Sequence, residues 1–265
     1  MRKRILKGGI SILGIVSFLL FLSVLFLWIQ HSFRQGFEGF YSTHPSSSQD
    51  SQDQFLEENI FHGFKNGIFV DVGAHDGVSY NNTFYFEQAN GWNGINIEAN
   101  PDIYSLLVKN RPSCINLSCA VANTEGTAEF YKNKGGTEML SGLVQQYHPL
   151  HTERLKRETE TSDSSTEIIQ VPTKRLASIF DEHMIHHVHY LSIDVEGAEY
   201  DVIQSIDFDK VKIDVIGYET NYKDTGSNAI LQYLESKGYV LIQENNTSLD
   251  TFVIHKESPF YKKTA

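Results

Sequence analysis

Residues 69–77 read FVDVGAHDG, an apolar run with one acid that breaks at a glycine. With Ile68 it opens as IFVDV, a short β-branched and aromatic run of the kind that forms a buried strand. Gly73 ends the run, at a point where a bare backbone lets a ligand approach closely. Downstream, 82–88 (NTFYFEQ) predict a helix and 94–98 (GINIE) a second strand. Pro101 suits the first turn of a helix over DIYSLLVKN. A third strand is expected at 114–121, a short hairpin strand at 127–131, and a polar, turn-rich insertion or lid at 132–166. Beyond it come a helix at 174–181, a fourth strand at 189–194 (HYLSID) and a helix at 198–205. A fifth strand at 213–219, a helix at 228–237 closed by Gly238, and a terminal antiparallel pair at 239–243 and 251–255 complete the pattern. Short apolar runs alternating with helices predict an α/β fold, a doubly wound and largely parallel sheet.

The flanks set the context. The chain has 265 residues with 21% charged and 40% hydrophobic, an ordinary globular balance rather than a disordered one. The formal net charge of -11 argues against a nucleic-acid binder, which needs a basic footprint. Cys114 and Cys119 are too few for a disulfide scaffold or a four-cysteine zinc site. Placed in one strand, they would stand roughly 16 Å apart, beyond disulfide reach. From Gly8 to Gln30 no residue is charged, and about 20 apolar residues span a bilayer as a helix. Arg2, Lys3, Arg4 and Lys7 precede this run and only Arg34 follows closely, which puts the amino end in the cytosol and the domain across the membrane. A cleaved signal peptide would carry a shorter core of about 7–15 residues. The expected organisation is therefore a basic segment 1–7, a transmembrane signal anchor 8–30, a flexible linker 31–54 and one domain 55–265.

Three predicted strands end in acids: Asp71, Glu98 and Asp194. In doubly wound sheets ligands bind beyond the carboxyl ends of the strands, near the switch in strand order. The dinucleotide fingerprint G-x-G-x-x-G fails, because from Gly73 it requires glycines where His75 and Val78 stand. That argues against a nucleotide-dependent oxidoreductase. An acid one turn earlier repels a pyrophosphate, yet it welcomes a ligand with an amine and a sulfonium, as S-adenosylmethionine has. A carboxylate such as Glu98 can accept both hydroxyl hydrogens of a ribose.

The motifs together resemble one family. Phe69 to Gly77, Asn82-Thr83, Gly91-Trp92, Ile97-Glu98-Ala99-Asn100-Pro101 and the run YLSIDVEGAE from Tyr190 to Glu199 are similar to FkbM-type methyltransferases. The likeness continues at Ser141-Gly142-Leu143, Ser205-Ile206-Asp207-Phe208 and Asp250-Thr251-Phe252, so it spans nearly all of the domain. It implies a class I, Rossmann-like fold with a mostly parallel seven-stranded sheet, S-adenosylmethionine as cofactor, and methyl transfer usually to a hydroxyl oxygen. On that basis Asp71, Gly73 and Glu98 would hold the methyl donor, with Ala74, His75, Gly77, Ala99 and Ala120 beside them. Asp194 and Glu196 would line the active-site mouth. The family's more usual asparagine after Gly-Ala is His75 here. The acceptor would be a hydroxyl-bearing glycan, lipid or small molecule. A second functional class is a non-catalytic, anchored trafficking or interaction factor that keeps the fold, as some anchored relatives of that family are.

A sulfonium is already activated, so the protein has mainly to align the attack and exclude water. An alcohol is a poor nucleophile at neutral pH, and a positioned base that takes its proton helps. Asp194 is the first candidate for that base, followed by Glu196, Glu219 and His75. An Asp194/Glu196 pair around Mg²⁺ is the alternative, although no metal ligand is assigned. Glu196 also competes as a cap for the helix near Gly197, and Glu199 reads as part of that helix. His183, His186, His187 and His189 precede the fourth strand without paired cysteines, and read as a solvated loop rather than a zinc site. His148 and His151 belong to the insertion and read as structural or substrate-contacting, and Phe84, Tyr85 and Phe86 as core. The sequons at Asn81, Asn116 and Asn245 read as coincidental.

Overall fold

The computed structural model describes residues 46–147, 149–161, 163–220, 225–242 and 250–262. The expected transmembrane run 8–30, the basic segment 1–7, His148 and the sequon at Asn245 lie outside the described residues. Among the described residues, no helix is long and apolar enough to cross a membrane.

In chain order the strands are β1 (Ile68–Val72), β2 (Asn93–Ile97), β3 (Ile115–Leu117), β4 (Ala120–Val121), β5 (Gly126–Lys134), β6 (Gly142–Leu143), β7 (Ser165–Lys174), β8 (His187–Ile193), β9 (Lys212–Glu219), β10 (Tyr239–Leu241) and β11 (Asp250–His255). The helices are α1 (Gln52–Leu56), which runs into a π turn, α2 (Phe84–Asn90), α3 (Pro101–Asn110), α4 (Pro149–Thr161), α5 (Leu176–Glu182), α6 (Glu199–Gln204) and α7 (Thr225–Ser236). Asn100 caps α3 by accepting from the Asp102 amide at 3.1 Å, with Pro101 in the first turn as expected.

Seven strands form the main sheet in the order β10-β11-β9-β8-β1-β2-β3. β3, β2, β1, β8 and β9 run parallel, and β11 is antiparallel to both β9 and β10. This is the class I methyltransferase-like arrangement, closed by the expected antiparallel pair. After β3 the chain returns to the middle of the sheet, and β8 pairs with the other edge of β1. Strand order thus reverses between β1 and β8, where a doubly wound sheet opens a crevice at its carboxyl ends. Val70, Val72, Ile95, Ile97, Leu191 and Ile193 pack with side chains of α5, α6 and α7 in one core. Phe69, Phe86, Trp92, Tyr190 and Val215 form a second core with α1, so Phe86 is core as expected.

Three expectations are corrected. The run 114–121 is not one strand: β3 pairs with β2, whereas β4 leaves the main sheet and pairs with β7. Cys114 and Cys119 therefore flank different strands, and both are free thiols. Residues 132–166 are largely ordered structure, since β5 and β7 pair along their length in a second sheet, β4-β7-β5-β6, with α4 between β6 and β7. His187 and His189 sit within β8 rather than in a loop. His187 Nε2 lies 2.6 Å from Oδ2 of the fully buried Asp214, and Lys212 Nζ lies 3.5 Å from Oδ1. His189 Nδ1 accepts the Ile68 amide at 2.9 Å, which occupies that lone pair. Although the three donors cluster within 4.8 Å, they read as compensation of a buried carboxylate.

The segment before the domain also differs from expectation. Residues 46–54 read as flexible linker by composition, yet Asp53 is 1% exposed and is ringed by the hydroxyls of Ser46, Ser47 and Ser48.

Candidate active site

The carboxyl ends of β1, β2, β8 and β9 converge on a cavity of about 420 Å³, within the usual size for a small-molecule site. Gly73 follows β1 with φ +86°, and its missing Cβ would stand 1.8 Å from the Asp194 carbonyl oxygen. Only glycine lets the two strand ends meet there. The next turn is held from below: the Gly73 and Ala74 amides both donate to the Ile97 carbonyl at 3.0 Å.

Glu98 follows β2 and faces this turn. Its Oε2 accepts from the His75 amide at 3.0 Å and its Oε1 from the Asn100 amide at 2.7 Å. Each oxygen keeps a further lone pair for a ligand. Burial pushes this carboxyl up to about 7, against the lowering effect of those amides. Ala99, Cys119, Ala120 and Val121 add small and apolar walls beside it.

On the opposite side stand Asp194 after β8, Glu196 in the following turn and Glu219 at the end of β9. One carboxylate oxygen from each lies within 4.8 Å of the others. Burial, then the neighbouring negative charge of Glu196, holds Asp194 well above the ordinary carboxylate range, while a hydrogen bond with Glu219 works the other way. Burial and the charge of Asp194 raise Glu219 likewise. Like charges this close oppose one another's ionisation, so the group holds its protons to higher pH than isolated carboxylates do. Oxygen donors at this spacing also suit a divalent cation, and Glu219 completes the set that Asp194 and Glu196 began.

Glu196 does not cap the helix. It has φ 60° and pairs with the buried His151 of α4, and burial pushes it up to about 8. Glu199 takes the amides of Val195 and Gly197 instead, at 3.3 and 3.1 Å. His151 is thus a contact of the active-site turn, itself shifted down by burial.

Of the residues singled out in the sequence, Gly73, His75, Glu98, Ala99, Ala120, Asp194, Glu196 and Glu219 line the one cavity. Asp71, Ala74 and Gly77 do not line it. The alternation of β1 turns Val72 to the cavity and Asp71 to the other side. There Asp71 Oδ2 accepts from Asn81 Nδ2 and Thr83 Oγ1, both at 2.8 Å. Burial raises this carboxyl despite those bonds and the Arg111 charge. The fully buried Arg111 donates to the Gly77 carbonyl at 2.9 Å and to Asn81 Oδ1 at 3.0 Å, and pairs with Glu87. Asp71 and Arg111 therefore position the loop that carries Gly73. Asn81 is consumed in this network, which removes it as a glycosylation acceptor.

Gln49, Tyr80, Met139 and Arg154 also line the cavity, beyond the residues that the sequence singles out. They come from a serine-rich stretch, a loop and a polar helix, where periodicity carries no signal. Only the Ser141-Gly142-Leu143 motif points to this wall.

No curated protein matches the sequence. Among solved structures, FkbM methyltransferase from Methylobacillus flagellatus aligns with TM-score 0.44 and 10% identity over 72% of this chain, which spans 44% of that one. Aeropyrum pernix fibrillarin with bound S-adenosylmethionine aligns with TM-score 0.44 and 9% identity, over 77% of this chain and 72% of that one. M. capricolum TrmK with S-adenosylhomocysteine gives 0.40 and 11%, over 78% and 68%. The model of the methyltransferase FkbM domain matches residues 71–241, from the acid of β1 through β10. With that match over well over half its length, the chain belongs to the FkbM methyltransferase family.

Proposed function

We propose that this chain is a membrane-anchored, S-adenosylmethionine-dependent methyltransferase that acts on a hydroxyl of a glycan, lipid or small molecule. One observation carries the reading: Gly73, Glu98 and the Asp194–Glu219 pair face a single cavity at the switch in strand order. The residues fit the methyl donor. Gly73 lets the ends of β1 and β8 meet at the cavity, Glu98 has lone pairs to spare for ribose hydroxyls, and the acids suit a cation. When bound, the donor supplies an electrophilic methyl group.

The chain's own residues do the rest. Glu98 and the Gly73 turn orient the nucleoside, and the walls from Leu140 to Leu143 and from α4 exclude water. Asp194, as carboxylate, takes the proton of the acceptor hydroxyl as the oxygen attacks the methyl group, and its hydrogen bond with Glu219 lets the pair share that proton. The non-catalytic alternative expects a degenerate cleft that has lost Gly73 or Glu98, and both are present.

Calorimetric titration of the full-length chain with S-adenosylhomocysteine tests the reading. Glu98 must be ionised to accept two hydroxyls, and its proton is held up to about 7 by burial. Affinity should therefore rise as pH climbs from 6 to 8, by about tenfold, and level off above. The same proton gives the free protein the opposite trend: the folded state keeps it above the ordinary 4.5, so Glu98's contribution to stability falls between 4.5 and 7. Glu98→Gln should weaken binding by about 1–3 kcal/mol and flatten its pH profile. A wild-type chain with no measurable affinity at any pH removes the proposal.

The anchor rests on the uncharged run 8–30 and the four basic residues before it. In sealed vesicles carrying the full chain, added protease should spare the domain when it lies in the lumen. Digestion without detergent would reverse the orientation.

A further inference from the structure

We propose that residues 46–53 form a strap that completes the wall of the methyl-donor cavity, with Gln49 at its mouth and Asp53 as its anchor. The proposal rests on the methyl-donor reading of that cavity. It concerns a segment outside the family match, which begins at residue 71.

The strap is a built structure. The nearly fully buried Asp53 accepts from Ser46 Oγ at 2.5 Å, from the Ser47 amide and Oγ at 2.8 Å, and from Ser48 Oγ at 2.7 Å. A buried carboxylate is stable only when so satisfied, and consecutive serines supply donors without cations. It is fastened to two separate elements of the domain. Ser48 forms a β-bridge with Tyr80, in the connection after β1, and Tyr80 lines the cavity. Gln52 Nε2 donates to Asp250 Oδ2 at 3.0 Å, and Asp250 lies opposite Glu219 in the β11–β9 register. The strap thus runs from the loop that follows Gly73 to β11, the strand that pairs with β9 at Glu219. Gln49, between these fastenings, faces the cavity itself.

A ligand that meets the strap only in its closed form must favour that form, and closure must favour the ligand by the same factor. Hydrogen exchange of residues 46–54 in the full-length chain, with and without S-adenosylhomocysteine, reads this coupling directly. Exchange should slow when the ligand is added. Asp53→Ala should abolish that protection and weaken S-adenosylhomocysteine binding about tenfold. Because loss of a buried carboxylate can unsettle the fold, Gln49→Ala is the second variant. It leaves the anchor intact, and should weaken binding about threefold without changing exchange in the free protein. If wild type binds but the strap's exchange ignores the ligand, or Gln49→Ala binds as wild type does, the strap is no part of the cavity. A wild-type chain that fails to bind overturns the methyl-donor reading and the strap with it.

Discussion

Gly73→Ala should lower the unfolding free energy by about 3 kcal/mol or more and remove S-adenosylhomocysteine binding. Two effects add. At φ +86° any side chain is strained, and here the Cβ would also fall 1.8 Å from the Asp194 carbonyl oxygen and 2.9 Å from its carbon. Neither side can withdraw cheaply. The Asp194 amide is bonded to the Val72 carbonyl at 2.9 Å, and the Gly73 amide to the Ile97 carbonyl at 3.0 Å. Parting β1 from β8 would break the ladder at the point where the cavity begins. Gly136 provides the control, because it has φ +96° and nothing within 4 Å of its absent Cβ. Gly136→Ala should show the backbone strain alone, about 1 kcal/mol. Urea unfolding of both variants, followed by tryptophan fluorescence, separates steric collision from strain. Equal losses in the two would mean that the close approach of Gly73 to Asp194 has no energetic weight.

Much of this arrangement is legible from residue pattern, and the rest is hidden for physical reasons. IFVDV, GINIE and HYLSID announce themselves because strands buried on both faces must be apolar and β-branched, and their terminal acids mark where the chain leaves the sheet. The break inside 114–121 carries no such mark, since an apolar run looks the same whether it serves one sheet or two. Helix α4 escapes notice because most of PLHTERLKRETET is polar, and among its described side chains the buried ones are His151 and Leu155. A helix with no apolar stripe gives periodicity nothing to read. Glu98, Asp194 and Glu219 are readable as strand-end acids in one cleft. The inward turn of Asp71 away from that cleft follows from alternation, but its partners Asn81, Thr83 and Arg111 lie 10 to 40 residues downstream and are visible only in three dimensions. The strap is concealed for a related reason: serine and aspartate are linker residues until one carboxylate gathers the hydroxyls.

Asp194→Asn should cut methyl transfer by about 10²- to 10⁴-fold while leaving S-adenosylhomocysteine affinity within about threefold of wild type. The amide keeps the shape of the carboxylate and can still bond with Glu219, so the cavity survives. It cannot accept a proton from an alcohol. In the proposed reaction that task falls to Asp194 by position, since it ends the strand beside Gly73 and meets Glu219 across the β8–β9 pair. Burial and its acidic neighbours raise its proton affinity, which makes it a stronger base than an exposed aspartate and delays its ionisation to higher pH. The sign of the pH profile follows: wild-type transfer should increase with pH as the shared proton leaves the Asp194–Glu219 pair, and Asp194→Asn should lose most of that increase. Transfer of a tritiated methyl group from S-adenosylmethionine into lipid and glycan extracts measures both, whichever molecule in the extract accepts it. Glu219→Gln makes the comparison decisive. If Glu219 only spreads the charge, its variant should lose less activity than Asp194→Asn and keep a pH-dependent rate. If instead Glu219→Gln is the more damaging and flattens the profile, the base is Glu219, and the acceptor must enter from the β9–β11 edge rather than between β1 and β8.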